Sequence, residues 1–249
     1  MTVVAALRRL LALGPLLAAM AGFVWVAFAK HDSAAAVRAP DPAAVKQIYL
    51  GDCAFCHGSQ AEGTKYGPSL KHSGPALTDY ELSTGRMPLP HAGAEVVRRT
   101  PKYDRATMDA LVAYVSSLAP GGTPIPQLDL AHADRAQGGE DYRLACAACH
   151  QAAGQGGALR YGEAPALHST PLQVAEAMRT GPGTMPVFGP EAFDDKAVSG
   201  IASYVQYLHE PQDPGGQSLW HLGPLAEGMV AFAACVLIAG ALVLIGERR

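Results

Sequence analysis

The chain has 249 residues, 49% hydrophobic and 16% charged, with a formal charge of −3. This length allows one or two domains, and the composition excludes a disordered polyelectrolyte. Residues 31–223 carry 14 Lys/Arg against 20 Asp/Glu, which excludes a nucleic-acid binder, and five cysteines are too few for a disulfide-stapled scaffold.

Residues 1–30 begin the chain with an uncharged stretch from Leu10 to Ala29, preceded by Arg8 and Arg9 and followed by Lys30. Twenty apolar residues rise about 30 Å as a helix, the thickness of a bilayer core. A transmembrane anchor is expected, and the run is longer than an ordinary signal-peptide core. Ala27-Phe28-Ala29 resembles a small-x-small cleavage site, so a signal peptide is the alternative. Either way the residues that follow are exported.

Residues 41–119 read as a small helical domain. Asp41-Pro42 is an N-cap followed by Pro at the first helical position. Val45, Ile48, Tyr49 and Cys53 then fall on one helical face. Near the end of the domain, Met108, Leu111, Val112, Val115 and Leu118 make a second apolar face. Residues 120–132, with the run Pro-Gly-Gly-Thr-Pro-Ile-Pro126, cannot continue a helix and read as a semi-rigid linker.

Residues 133–211 repeat the plan. Tyr142-Arg-Leu-Ala-Cys146-Ala-Ala-Cys149-His150 answers Tyr49-Leu-Gly-Asp-Cys53-Ala-Phe-Cys56-His57. Gly183-Thr184-Met185-Pro186 answers Gly85-Arg86-Met87-Pro88, and the face Val198, Ile201, Ala202, Val205 and Leu208 answers the one ending at Leu118. This is a two-copy repeat rather than a solenoid. Residues 224–246 hold a second uncharged stretch, from Met229 to Gly246, before Glu247-Arg248-Arg249. A second transmembrane helix is expected there. Lys/Arg flanking spans stay cytoplasmic, so both termini are expected in the cytoplasm and both repeats outside the cell membrane. The fold class expected is all-α: two tandem helical domains flanked by N- and C-terminal transmembrane helices.

Cys-x-x-Cys-His is a haem-attachment pattern. Two thiols one turn apart reach the two vinyl groups of one porphyrin edge, and the next residue reaches the iron. The pattern assigns Cys53, Cys56, Cys146 and Cys149 to two covalently bound haem c groups. It assigns His57 and His150 as axial ligands. A large buried cofactor also supplies what an 80-residue unit with long Gly/Pro-rich loops lacks, a core to pack on. A redox disulfide would sit near a βαβ pattern, and none is visible. A zinc site would have to pair motifs 93 residues apart, far outside usual spacings. Met87 and Met185 lie 30 and 35 residues beyond their histidines, each before a Pro. They are the candidate sixth ligands, with His72, His91 and His168 as rivals. A filled His/Met site transfers electrons and leaves no open position on the iron, so no catalytic residue is assigned. Arg98, Arg99, Lys102 and Arg105 form a basic cluster, either a solvated loop or a docking patch for an acidic redox partner. Cys235 reads as packing within the second span.

The paired motifs, Ser83-Thr-Gly-Arg-Met87-Pro, Arg179-Thr-Gly-Pro-Gly-Thr-Met185-Pro-Val-Phe and the entry Leu222-Gly-Pro-Leu-Ala-Glu-Gly-Met229 to the last stretch together resemble a family. It is that of the di-haem cytochrome c subunits (cytochrome cc) of actinobacterial menaquinol–cytochrome c reductases, the cytochrome bcc complexes. The resemblance runs from about residue 43 to the C-terminus and implies cytochrome c-like domains. It implies a tethered relay inside an oxidoreductase complex, with a cytochrome b subunit and a Rieske iron–sulfur subunit as partners. A haem-copper terminal oxidase would receive the electrons, and quinol oxidation would belong to another subunit. The rival readings are a di-haem subunit of another membrane dehydrogenase or oxidase, and a peroxidase-type catalyst with one open haem.

Overall fold

The computed structural model describes residues 40–160, 162–211 and 224–246. The chain divides between Ile125 and Pro126 into two compact units.

In the first unit, α1 (Pro42–Asp52) starts at Asp41, whose carboxylate accepts from the Ala43 N–H, with Pro42 at the first helical position. It runs into the one-turn α2 (Ala54–His57). α3 (Gly74–Ser83) and α4 (Arg105–Leu118) complete the unit, and α4 is capped by Asp104 accepting from the Thr107 N–H. The core is Val45, Tyr49, Leu82, Met108, Leu111, Val112 and Val115, so the apolar faces of α1 and α4 meet as their spacing requires. Gly74 has φ +69° and a Cβ there would lie 2.4 Å from the Thr123 nitrogen. That close approach lets the Ala76 N–H reach the Thr123 carbonyl at 3.1 Å and ties the segment after α4 to the start of α3.

The second unit follows the same order. α5 (Arg135–Ala145) leads into the one-turn α6 (Ala147–His150), then α7 (Pro171–Thr180) and α8 (Asp195–His209). Asp134 and Asp194 cap α5 and α8. Thr170 and Gln173 form a capping box at α7, which satisfies two orphan N–H groups at once. The core gathers Tyr142, Cys146, Val174, Met178, Val198, Ile201 and Val205. α5 and α8 cross at Gly138 and Gly200, where a Cβ on Gly138 would sit 2.1 Å from the Gly200 carbonyl. Only two bare backbones fit at that crossing.

Two features depart from the all-α expectation. A short antiparallel hairpin, β1 (Gly157–Leu159) with β2 (Gly162–Ala164), pairs Ala158 with Glu163. Three residues per strand are too few to show a period-2 pattern. The two flanking transmembrane helices are also corrected: among the described residues, no helix is long and apolar enough to cross a membrane. The stretch from Leu10 to Ala29 lies outside the described residues. The last helix, α9 (Pro224–Gly246), carries Glu227 in its first turn.

Candidate functional site

The two Cys-x-x-Cys-His segments are built alike. In each, a helix ends at the first Cys and a single turn carries the second Cys and the His. The Tyr four residues before the first Cys is fully buried in both units. The Tyr49 hydroxyl donates to the Gly58 carbonyl at 2.8 Å, and the Tyr142 hydroxyl donates to the Gln151 carbonyl at 2.7 Å. Each tyrosine thereby staples the incoming helix to the residue just past the histidine. Each ring also packs on a tyrosine of the last helix, Tyr114 at 5.3 Å and Tyr204 at 5.4 Å. Burial pushes both phenols up to about 12, so they stay neutral donors.

The four motif cysteines are free. Burial, reinforced by the Asp52 charge, pushes the Cys53 thiol up to about 11, and burial with the Asp141 charge does the same for Cys146. Among the described residues no cluster of His, Cys, Asp and Glu could hold a metal ion.

Both histidines are oriented by main chain. Nδ1–H of His57 donates to the Pro68 carbonyl at 2.8 Å, and Nδ1–H of His150 donates to the Pro165 carbonyl at 3.0 Å. A carbonyl can only accept, so the proton sits on Nδ1 and the Nε2 lone pair is left for a metal. The acceptor prolines are delivered by matching turns. Gly63 donates to the His57 carbonyl and Gly156 donates to the His150 carbonyl. Both glycines have positive φ, and a Cβ would strike Ser69 N at 2.6 Å in one case and Ala164 O at 2.3 Å in the other. Leu70 N–H to Ala61 O and Leu167 N–H to Gly154 O close the two loops at 2.9 and 2.8 Å. Sequence reasoning missed this layer. Its trace is a Pro-x-Leu after each motif, Pro68-Ser-Leu70 and Pro165-Ala-Leu167.

In the first unit Cys53, His57 and Met87 line one cavity of about 230 Å³, walled otherwise by side chains such as Leu70, Leu82, Leu111 and Val115. His72 and His91 are not among its walls. Glu81 also lines it, and its Oε2 is buried with no hydrogen-bond partner among the described residues. Burial holds its carboxyl above the ordinary range, with Arg86 pulling the other way. An apolar slot with thiol, imidazole and thioether on its walls fits a flat macrocycle, and an orphaned acid facing it fits a polar group on that ligand. In the second unit His150 is buried. Met185 packs half-buried against the core that contains Cys146. His168 packs against His209 in a tilted contact with ring centroids 4.8 Å apart.

The basic cluster resolves into local partners. Lys102 pairs with Asp52 at 2.7 Å, Arg105 with Asp79 at 2.5 Å, and Arg99 donates to the Glu95 and Val97 carbonyls. Cys235 is exposed on α9.

Comparisons with known proteins agree with this geometry. Residues 42–119 match the family model described as Cytochrome c, and residues 133–205 match Cytochrome C oxidase, cbb3-type, subunit III. With both motifs inside cytochrome c domains, Cys53/Cys56 and Cys146/Cys149 are the attachment pairs for two covalent haem c groups. A Mycobacterium leprae protein named Cytochrome bc1 complex cytochrome c subunit is 37% identical over 236 residues, which is 90% of this chain and 79% of that protein. The Mycobacterium tuberculosis protein of the same name is 37% identical over 234 residues, 90% of this chain and 82% of the relative. A third, from Corynebacterium diphtheriae, is 33% identical over 223 residues, 82% and 79% of the two chains. Identity at this level across nearly the whole chain settles the family, and the protein belongs to the cytochrome c subunits of cytochrome bc1 complexes.

Proposed function

We propose that this chain is the electron relay of a membrane quinol-oxidising complex, with one haem c in each unit. The observation that carries the reading is the matched pair of oriented histidines, each with Nδ1–H bound to a main-chain carbonyl. His57 and His150 would be the proximal iron ligands, and Met87 and Met185 the distal ones. Haem iron, when bound, carries one electron at a time between its ferric and ferrous states. The protein's part is to hold that group still. The tyrosine staples fix the histidine turn, the apolar walls of the first cavity exclude water, and the thioethers of Met87 and Met185 would hold the group from their loops. A thioether ligand would favour the ferrous state and raise the potential, and with His and Met both bound the iron would carry electrons rather than bind peroxide. This chain carries electrons and leaves quinol oxidation to another subunit.

The partners proposed are a cytochrome b subunit and a Rieske iron–sulfur subunit on the donor side, and a haem-copper terminal oxidase on the acceptor side. The haem units face the extracytoplasmic side of the cell membrane, where covalent haem c attachment and these partners would be met. The match of residues 133–205 to an oxidase subunit favours a second reading, a di-haem subunit of a terminal oxidase.

One experiment separates the two. The tagged chain is extracted from membranes in mild detergent, and reduced-minus-oxidised spectra of the co-purifying material are recorded. Two c-type haems per chain with b-type haem and a Rieske electron paramagnetic resonance signal support the quinol-oxidising complex. Two c-type haems with an oxidase and no Rieske signal support the second reading. A high-spin ferric c haem with peroxide turnover would overturn both.

A further inference from the structure

The loop that carries Met185 is held by a side chain that no comparison assigns. Arg179 lies near the end of α7, with its side chain only 7% exposed. Its Nη1 donates to the Phe188 carbonyl at 3.0 Å and the Phe193 carbonyl at 2.7 Å, and its Nη2 donates to Asp195 Oδ1 at 2.6 Å. Phe188 lies just after Met185, while Phe193 and Asp195 lie where the loop enters α8. One planar guanidinium therefore grips both the middle and the far end of the Met185 loop.

The rest of the loop is shaped around that grip. Gly181 ends α7 in the left-handed conformation, and a Cβ there would meet the Met185 carbonyl at 2.7 Å. The Phe188 N–H donates to the Met178 carbonyl at 2.8 Å. The Phe188 and Phe193 rings pack 5.7 Å apart over the core. A buried cation needs its donors satisfied, and the satisfaction here comes from loop carbonyls. Moving the loop would strand the charge, so loop position and charge burial are coupled. A soft, neutral thioether is a modest iron ligand and depends on such positioning.

We propose that Arg179 is the positioning residue of the second haem site, latching the Met185 loop so that the thioether stays on the iron. The proposal rests on reading Met185 as the sixth ligand. The first unit has Ser83 at the matching place before Thr84-Gly85; there Met87 N–H donates to the Glu81 carbonyl at 3.0 Å, and the Arg99 side chain, itself in the loop, donates to the Val97 and Glu95 carbonyls.

The test uses the full chain in its detergent-extracted state with haem attached. The readout is the ferric methionine–iron charge-transfer band, followed through pH and temperature ramps, with covalent haem content and far-ultraviolet circular dichroism as controls. M185A is expected to remove about half of the band, whereas an intact band would overturn the ligand reading and the latch with it. If M185A does remove half, R179Q is expected to lose that same half at lower temperature and lower pH than wild type, with haem content unchanged. Wild-type midpoints in R179Q would overturn the latch while leaving the ligand reading intact. Should R179Q fail to fold, R179K keeps the charge without the fork, and D195N removes only the exposed partner. Lowered midpoints in R179K with a smaller drop in D195N support the latch, and wild-type midpoints in both overturn it.

Discussion

The two units share a plan and differ in how they are fastened. Val45 and Ala110 each sit four residues before the paired tyrosines Tyr49 and Tyr114, and the same places before Tyr142 and Tyr204 are Gly138 and Gly200. The first crossing is packed with side chains, the second with backbone. The ion pair between the third and fourth helices is reversed. In the first unit the acid, Asp79, is on α3 and the base, Arg105, opens α4. In the second unit the base, Arg179, is on α7 and the acid, Asp195, opens α8. The difference teaches that one histidine-and-tyrosine frame tolerates opposite choices of packing and charge around it, provided each choice is complementary within its own unit.

The sharpest way to break that comparison is to impose one unit's crossing on the other. G138V should cost more than about 3 kcal/mol, because its side chain meets backbone that cannot yield. Amide hydrogen exchange by mass spectrometry would show protection lost in 133–211 and kept in 41–119. The converse, V45G, should cost about 2–3 kcal/mol through lost burial and helix propensity, read in the first unit's peptides. Equal losses in both units would show that the crossings do not act separately.

The reversed ion pairs give the next effect. R105A strands Asp79, whose side chain is 1% exposed, and should cost about 2–3 kcal/mol. D195A removes a partner that is 77% exposed and leaves Arg179 two carbonyls, so about 1 kcal/mol is expected. Unit-resolved exchange would expose any reversal of that order. Y49F and Y142F each delete one buried hydroxyl-to-carbonyl bond and should cost about 1 kcal/mol apiece, the same in both units if the staples are equivalent.

The smallest effect is the pH dependence that Asp52 gives the first unit. Hydrogen bonds from Lys102 and Tyr103 hold the Asp52 carboxyl below its ordinary value. A carboxyl lowered by folding stabilises above its unfolded pKa, and that contribution fades as pH falls through the folded value. The first unit should therefore lose a fraction of a kcal/mol below the ordinary aspartate range, since the pair is partly exposed. The second unit has Ala145 at that place and lacks this contribution. D52N should flatten the acid limb of the first unit's exchange profile. An unchanged limb would remove Asp52 from the account.

What the sequence disclosed and what it withheld divide along physical lines. Local signals were legible: Asp41-Pro42 as a cap, the apolar spacing from Met108 to Leu118, and the Cys-x-x-Cys-His turns. So was the repeat, because both copies keep the order Tyr, Cys, Met and helix. Partner choice across distance was not. Nothing in the spacing of Arg105 says that it will find Asp79 rather than remain in a basic patch. Nor does Pro68 declare that its carbonyl will hold a histidine. The hairpin at Gly157–Ala164 was too short to leave a pattern. The flanking spans were inferred from the length of two uncharged stretches and the basic residues beside them, and among the described residues no helix is long and apolar enough to cross a membrane.

The Nδ1–H bonds of His57 and His150 end on main-chain oxygens, and this has a genetic consequence. An aspartate or asparagine in that role could be deleted by a single codon change. A peptide carbonyl is present whatever residue is encoded at 68 or 165. Ring orientation in both halves is thereby insulated from point mutation at the acceptor. Only changes that move the loop itself, at Gly63 or Gly156 for instance, can reach it. A duplicated gene could drift at its crossings and ion pairs while each half kept its histidine aimed.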